Sequence, residues 1–382
     1  MLLKNGLIYR NEERAFVKAD LKIENGIIAD IGCFECEDEA LDLGGRAVVP
    51  GLIDVHTHGR AGYDFLEVPQ DKLSHVAGDY ARHGVTTVMP TMASAPLEHM
   101  ISACDTVNKF IPSVGDCDFC GVHLEGRYLN VKRHGAHAPE LISALNSDEL
   151  EHEVFRMCKS LHISAAFEND TDASFAKKAL ELGATLSLGH TDATYDQARL
   201  AEKNGVSAYT HLFNAMPPLH HRDGGAVCAA LTGECFAELI CDGIHIAPQM
   251  IKLAYSLLGC RRTVLISDSM EATGCPDGEY AIAGTPVVVK NGIALTPEGA
   301  LAGSTLTLDK AVNNLMSFCD IPLTDAILCA TENPAKEVGI FDRVGSIDVG
   351  KRADLLVLDS TQRLDIIKVM INGRFIQDVK GN

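Results

Sequence analysis

Positive charge is what this chain has too little of. It carries 33 lysines and arginines against 52 aspartates and glutamates, a net charge of −19. Nucleic acid and anionic membranes both need a basic face, so neither is expected as a partner. A small anionic substrate, which a local cluster of donors can hold, stays open. Long apolar runs are missing as well. No stretch approaches 18 consecutive apolar residues, so no transmembrane helix is expected. The opening MLLKNGLIYRNEERAF lacks the apolar core and cleavage site of a signal peptide, and a cytoplasmic protein is the expectation. The 13 cysteines, an odd number, are expected to be reduced thiols. Two C-x-x-C pairs, Cys33/Cys36 and Cys117/Cys120, lie too far apart in sequence for a zinc ribbon.

What is present is a globular balance. The 382 residues are 46% hydrophobic and 22% charged, enough for one large domain plus a small one. Both ends read as β-rich. NGLIYR, DLKIENGIIADIG and RAVVP begin the chain, with hairpin signals at Asn5-Gly6 and Asn25-Gly26. ADLLVLD and IIKVMINGRFI close it around Asn372-Gly373. The reading is a small β-sandwich domain built from 1–50 plus 341–382, enclosing a catalytic domain over 51–340.

The middle repeats one unit. Eight short apolar runs end near His58, Thr91, Glu125, Glu168, His190, His211, Asp242 and Asp268. Their mean spacing is about 30 residues, the size of a βα unit. Helical spacing lies between them, as in SFAKKALELG and YDQARLAEKNG. The pattern predicts an α/β fold, a (β/α)8 TIM-like barrel with its active site at the C-terminal strand ends. Strand residues alternate, so His56 and His58 face the same side, into the barrel mouth. The expected mouth inventory is His56, His58, His123, Glu125, His190, His211, His245 and Asp268. Imidazoles and carboxylates suit a divalent metal such as zinc or iron, whose open position lowers the pKa of a bound water. Asp268, ending the eighth run, is the candidate to take a proton and later return it. His75, His83, His99, His152 and His162 are read as helix or loop residues.

These residues resemble the amidohydrolase superfamily, in which H-x-H follows the first strand and a catalytic Asp ends the eighth. More narrowly, the chain resembles the N-acetylglucosamine-6-phosphate deacetylases. The similarity runs through 51-GLIDVHTHG-59, 121-GVHLEG-126, 187-SLGHTDAT-194, 210-THLFNAMPPLHHR-222, 242-DGIH-245, 301-LAGSTLTL-308 and 331-TENPAKEVG-339. It implies Glu125, His190 and His211 as ligands of the tighter metal site, with His56 and His58 at a second, so one or two ions per subunit. It implies Asp268 as general base and acid. Asn214 and Ala215 then contact the sugar phosphate, Arg222 binds phosphate and reaches across a homodimer interface, and His245 and His137 bind substrate. No lysine ends the fourth run, so no carbamylated-lysine bridge is expected.

The implied reaction removes an acetyl group from N-acetylglucosamine-6-phosphate. The chain departs from the family pattern at Arg60, at Arg127, in AAFEND, in the DGGAVCAAL loop and in SDSMEATG. Two added guanidiniums at the mouth would suit a more acidic sugar, because arginine pairs bidentately with carboxylates; the alternative is that both arginines make salt bridges to nearby acids. The galactosamine epimer, another N-acyl amino sugar phosphate or another amide therefore stay open as substrates. So does a non-catalytic sugar-phosphate sensor, which would lack a ligand or the aspartate.

Overall fold

The computed structural model describes residues 1–35 and 40–376. Cys36 of the first C-x-x-C pair and residues 377–382 of the C-terminal segment lie outside the described residues.

Eight parallel strands form the centre: β1 (Leu52–Thr57), β2 (Val85–Met92), β3 (Val122–Glu125), β4 (Leu161–Ala165), β5 (Thr185–Leu188), β6 (Val206–Tyr209), β7 (Phe236–Ile240) and β8 (Thr263–Ile266). Each pairs with the next in parallel. The ring closes just past β8, where the Asp268 amide donates to the His56 carbonyl at 3.0 Å and the Ser267 amide to the Asp54 carboxylate at 3.2 Å. β1, β2, β3, β4 and β8 are buried along their whole length, which is why they read as near-continuous apolar runs.

Helices follow the strands. SFAKKALE forms Ser174–Glu181 and buries Phe175, Ala176 and Ala179 against the barrel. YDQARLAEK forms Tyr195–Lys203, started by a capping box in which Thr194 and Gln197 satisfy each other's backbone amides. Among the described residues no helix is long and apolar enough to cross a membrane.

Both termini build one further eight-stranded sheet, with Ala47–Pro50 antiparallel to Leu355–Leu358 at its centre. Its core is separate and includes Leu3, Ile8, Leu21, Val48, Leu355 and Val357. Arg352 ties this sheet to the barrel, 2.7 Å from Asp118 and 2.7 Å from Thr87. Asn25-Gly26 and Asn372-Gly373 make the expected tight hairpins, both residues left-handed in each. Asn5-Gly6 does not. It sits inside the strand Leu2–Arg10 as a bulge, with Asn5 at φ 57°, so the same dipeptide serves a register shift instead of a turn.

A third sheet was not legible in the sequence. Gly278–Ile282, Thr285–Lys290 and Ile293–Leu295 form an antiparallel meander after β8, packed around Met270, Val287, Val289 and Ala302. It walls one side of the barrel mouth.

The described cysteines are free. Cys117 and Cys120 are buried, and burial pushes both thiols up, Cys120 to about 12.

Candidate active site

The strand ends deliver the site. Glu125 is the last residue of β3, and His58, His190, His211 and Asp268 lie one or two residues beyond β1, β5, β6 and β8. Three of them occupy left-handed backbone: His190 at φ 46°, His211 at φ 30° and Asp268 at φ 47°. Residues with a Cβ rarely adopt this conformation, and it turns each side chain sharply into the mouth.

There the ligating atoms converge on Glu125. Its Oε1 lies 2.9 Å from His211 Nε2, 3.3 Å from His190 Nε2 and 3.3 Å from His56 Nε2. Its Oε2 lies 3.0 Å from His58 Nε2 and 3.6 Å from His137 Nε2. Asp268 Oδ1 is 3.3 Å from His58 Nε2 and 3.6 Å from His56 Nε2.

This arrangement fits a metal. His190 Nε2 and His211 Nε2 are 3.0 Å apart, and two imidazole nitrogens so close cannot both carry protons. His190 Nδ1 donates to the Arg133 carbonyl at 2.7 Å, which leaves its Nε2 lone pair for a ligand. Burial lowers the His190 pKa to about 4, so the ring is neutral. Burial would lower His58 too, but Asp268 and Glu125 outweigh it and push His58 up to about 9. Burial would raise Glu125, yet His56 and the surrounding histidines hold it well below the carboxylate range. The acids here call for positive charge, which a divalent cation supplies. His56, His58 and Glu125 are mutually placed to hold an ion, and so are Glu125, His137 and His190.

Around this centre lies a cavity lined by His58, His137, His190, His211, Asn214, Ala215, His245 and Asp268, with Glu125 at its floor. His56 is fully buried beneath. His245 is steered by Asp242, whose Oδ2 accepts from its Nδ1 at 2.7 Å; the pair outweighs burial and raises the His245 pKa. Arg222 is not among the lining residues. It lies exposed on the loop after His211, 3.1 Å from the His221 ring.

Several expectations need correction. His123 is not at the mouth. It points into the barrel two residues deeper than Glu125, held between Thr91 Oγ1 at 3.1 Å and Ser164 Oγ at 2.7 Å. His162 is neither a helix nor a loop residue; it sits in β4, fully buried. For Arg60 and Arg127 the salt-bridge alternative holds, and neither lines the cavity. Arg60 is 1% exposed, 2.6 Å from Asp79 and 4.5 Å above the Tyr80 ring. Arg127 pairs with Glu149 at 3.2 Å and Ser143 at 3.0 Å. Both guanidiniums are neutralised internally, which removes the argument for a more acidic sugar.

Other site residues escaped the sequence reading. Glu238 in β7 accepts from His56 Nδ1 at 2.9 Å and from the His211 amide at 3.0 Å, so one carboxylate orients two candidate ligands. A lone glutamate in an apolar run gave no signal beyond its misfit. Ile282 and Leu301 form an apolar wall of the cavity, and they come from the unread meander and the segment after it. Gly135, at φ 59°, packs against His190, where a Cβ would lie 3.0 Å from Cε1.

Comparison with known proteins agrees with this geometry. Residues 47–376 match the model of the Amidohydrolase family. The chain is 36% identical over 360 residues to N-acetylglucosamine-6-phosphate deacetylase of Vibrio furnissii, covering 93% of this chain and 90% of the relative. It is 35% identical over 360 residues to N-acetylgalactosamine-6-phosphate deacetylase of Escherichia coli O157:H7, covering 93% of each. The crystal structure of N-acetylglucosamine-6-phosphate deacetylase from Thermotoga maritima superposes with a TM-score of 0.88 at 30% identity, over 98% of this chain and 99% of that one. A barrel of this topology, with histidines and acids at its strand ends and a match along nearly the whole chain, makes this protein a member of the amidohydrolase family.

Proposed function

We propose that the protein is a metal-dependent hydrolase that removes the acetyl group from N-acetylglucosamine-6-phosphate, giving acetate and glucosamine-6-phosphate. The observation that carries this reading is the convergence of His190, His211 and Glu125 on one point beside Asp268. Glu125, His190 and His211 would hold a divalent ion, zinc or iron, and His56 and His58 a second; such an ion would supply polarisation of the amide carbonyl and a water of lowered pKa. Asp268 takes the proton of the attacking water. The carbonyl carbon becomes tetrahedral, and His245, held protonated by the Asp242 carboxylate at its Nδ1, donates from Nε2 to the developing oxyanion. Asp268 then passes its proton to the departing nitrogen as the C–N bond breaks. His137, Asn214 and the Ala215 backbone orient the sugar, and Ile282 and Leu301 shield the acetyl methyl from water.

Arg222, exposed in a single chain, binds the phosphate of a substrate in the neighbouring subunit of a homodimer. The free cysteines suit a reducing cytoplasm. The terminal sheet, with its own core, is the small domain of 1–50 plus 341–382, and 51–340 is the catalytic one. The relative named for N-acetylgalactosamine-6-phosphate favours a second reading, the galactose epimer, on the same machinery.

Acetate release by metal-analysed protein tests this. N-acetylglucosamine-6-phosphate, its galactose epimer and the unphosphorylated sugar are compared. Fast release from the first is expected. Preference for the epimer selects the second reading, and release from none refutes both.

A further inference from the structure

Below the mouth, the barrel interior holds a second group of ligating side chains, of which only Glu238 touches the site already described. His162 in β4 and Glu238 in β7 face each other near the base, and Glu337 reaches them from the helix Glu332–Glu337. All three are buried, at 0%, 0% and 1% exposure. One ligand atom from each lies within 4.8 Å of the others. Both oxygens of Glu337, Oε1 of Glu238 and Nε2 of His162 make no hydrogen bond, and none has surface open to a water molecule.

The rest of each side chain is spoken for. His162 Nδ1 lies 2.7 Å from Thr185 Oγ1; as a donor there it leaves the Nε2 lone pair aimed into the group. Glu238 Oε2 is engaged by His56 and the His211 amide, which turns Oε1 inward. Four buried donor atoms on three clustered residues therefore lack a hydrogen-bond partner, in a core where unpaired polar atoms are rare. Ionised together, the two carboxylates would carry two negative charges in a core without a counter-charge, which a single divalent ion balances. One imidazole with carboxylate oxygens suits zinc, manganese or iron better than calcium or magnesium. One donor atom from each residue lies within 4.8 Å of the others, and the second Glu337 oxygen, also unpartnered, is a further donor toward the four of a closed structural zinc site.

We propose that His162, Glu238 and Glu337 form a second, enclosed site for a divalent transition-metal ion at the base of the barrel. It is distinct from the mouth but joined to it through Glu238, whose other oxygen orients His56 and the backbone of His211.

The test separates the two sites by accessibility. The full-length protein is produced in medium containing zinc and manganese, dialysed against EDTA and analysed by inductively coupled plasma mass spectrometry. The same is done with the mouth variant Glu125→Gln/His190→Asn, checked for folding by circular dichroism. The mouth variant is expected to keep about one equivalent of metal, because an ion enclosed among three side chains of at most 1% exposure is out of a chelator's reach. In that background Glu337→Gln and, separately, His162→Gln are each expected to lower retained metal at least about tenfold. X-ray absorption of the retained ion is expected to show a mixed nitrogen and oxygen shell. A folded mouth variant that retains no metal overturns the proposal. So does retained metal that survives either substitution. If neither substitution yields folded protein, the metal content and absorption spectrum of the mouth variant still decide.

Discussion

Replacing Asp79 by asparagine is expected to destabilise the protein more than replacing Arg60 by methionine, although both remove the same ion pair. Arg60 is 1% exposed and pairs with Asp79 at 2.6 Å. In Asp79→Asn its guanidinium cannot shed its charge. It stays buried against the Tyr80 ring, and removing one partner of a buried pair costs about 3–5 kcal/mol. Arg60→Met leaves a different remainder. The Asp79 side chain is 17% exposed and keeps Arg82 at 2.8 Å, so no orphaned charge is left. What is lost is mainly the cation–π contact, about 1–2 kcal/mol, and the methionine fills much of the volume. The double variant is therefore expected to lie near Arg60→Met, since the buried charge that makes Asp79→Asn costly is gone. Urea unfolding of the wild type and three variants measures the cycle. The KM of Arg60→Met for the sugar phosphate is measured beside it and is expected to stay at the wild-type value. Equal or greater loss in Arg60→Met would refute the reasoning about the orphaned charge. A tenfold rise in KM, about 1.4 kcal/mol of binding, would show Arg60 acting on the ligand and reopen the more acidic sugar as substrate.

Other outcomes follow from the site and its surroundings. Asp268→Asn is expected to lower turnover about 10²–10⁴-fold with mouth metal retained, as proton transfer is lost while ligation stands; near-normal turnover would remove Asp268 from the mechanism. Gly135→Ala places a methyl 3.0 Å from His190 Cε1 at φ 59° and is expected to weaken mouth-metal affinity about tenfold in a metal titration; unchanged affinity would mean the loop yields freely. Asp118 gives a pH signature. Burial would raise its carboxyl, but Arg352 and Lys159 outweigh burial and hold it below the ordinary range. It therefore binds its proton more weakly folded than unfolded. Its contribution is complete above the unfolded value of about 4 and is lost as pH falls through the lower folded value. Asp118→Asn is expected to remove about 1.5–3 kcal/mol at neutral pH and to flatten the acid-side loss of stability. An acid limb as steep as the wild type's would contradict this.

The mouth was legible because two periods coincide there. A βα repeat places each strand end at one rim, and alternation within a strand puts His56 and His58 on one side, so residue type and position could be read together. The same alternation misled at His123. Sharing the inward face of β3 with Glu125 implies nothing about depth, and two residues of strand rise, about 6–7 Å, take it from the rim into the hydroxyl layer of Thr91 and Ser164. The dipeptide Asn-Gly was ambiguous for a related reason. It specifies left-handed backbone, and Asn5 spends that on a bulge where Asn25 spends it on a turn. Arg60 shows a different limit. Its place two residues beyond His58 left ligand binding and a salt bridge equally open, and the partner that decides it, Asp79, lies on the following helix. Residues whose roles depend on ring closure carried the least signal. Glu238 and His162 come from strands three apart in the ring, and Glu337 from a helix beyond the eighth strand. Nothing within one segment marks them as a group. Only the closed barrel brings them under His56, which places the lower cluster and the catalytic mouth on opposite oxygens of a single carboxylate.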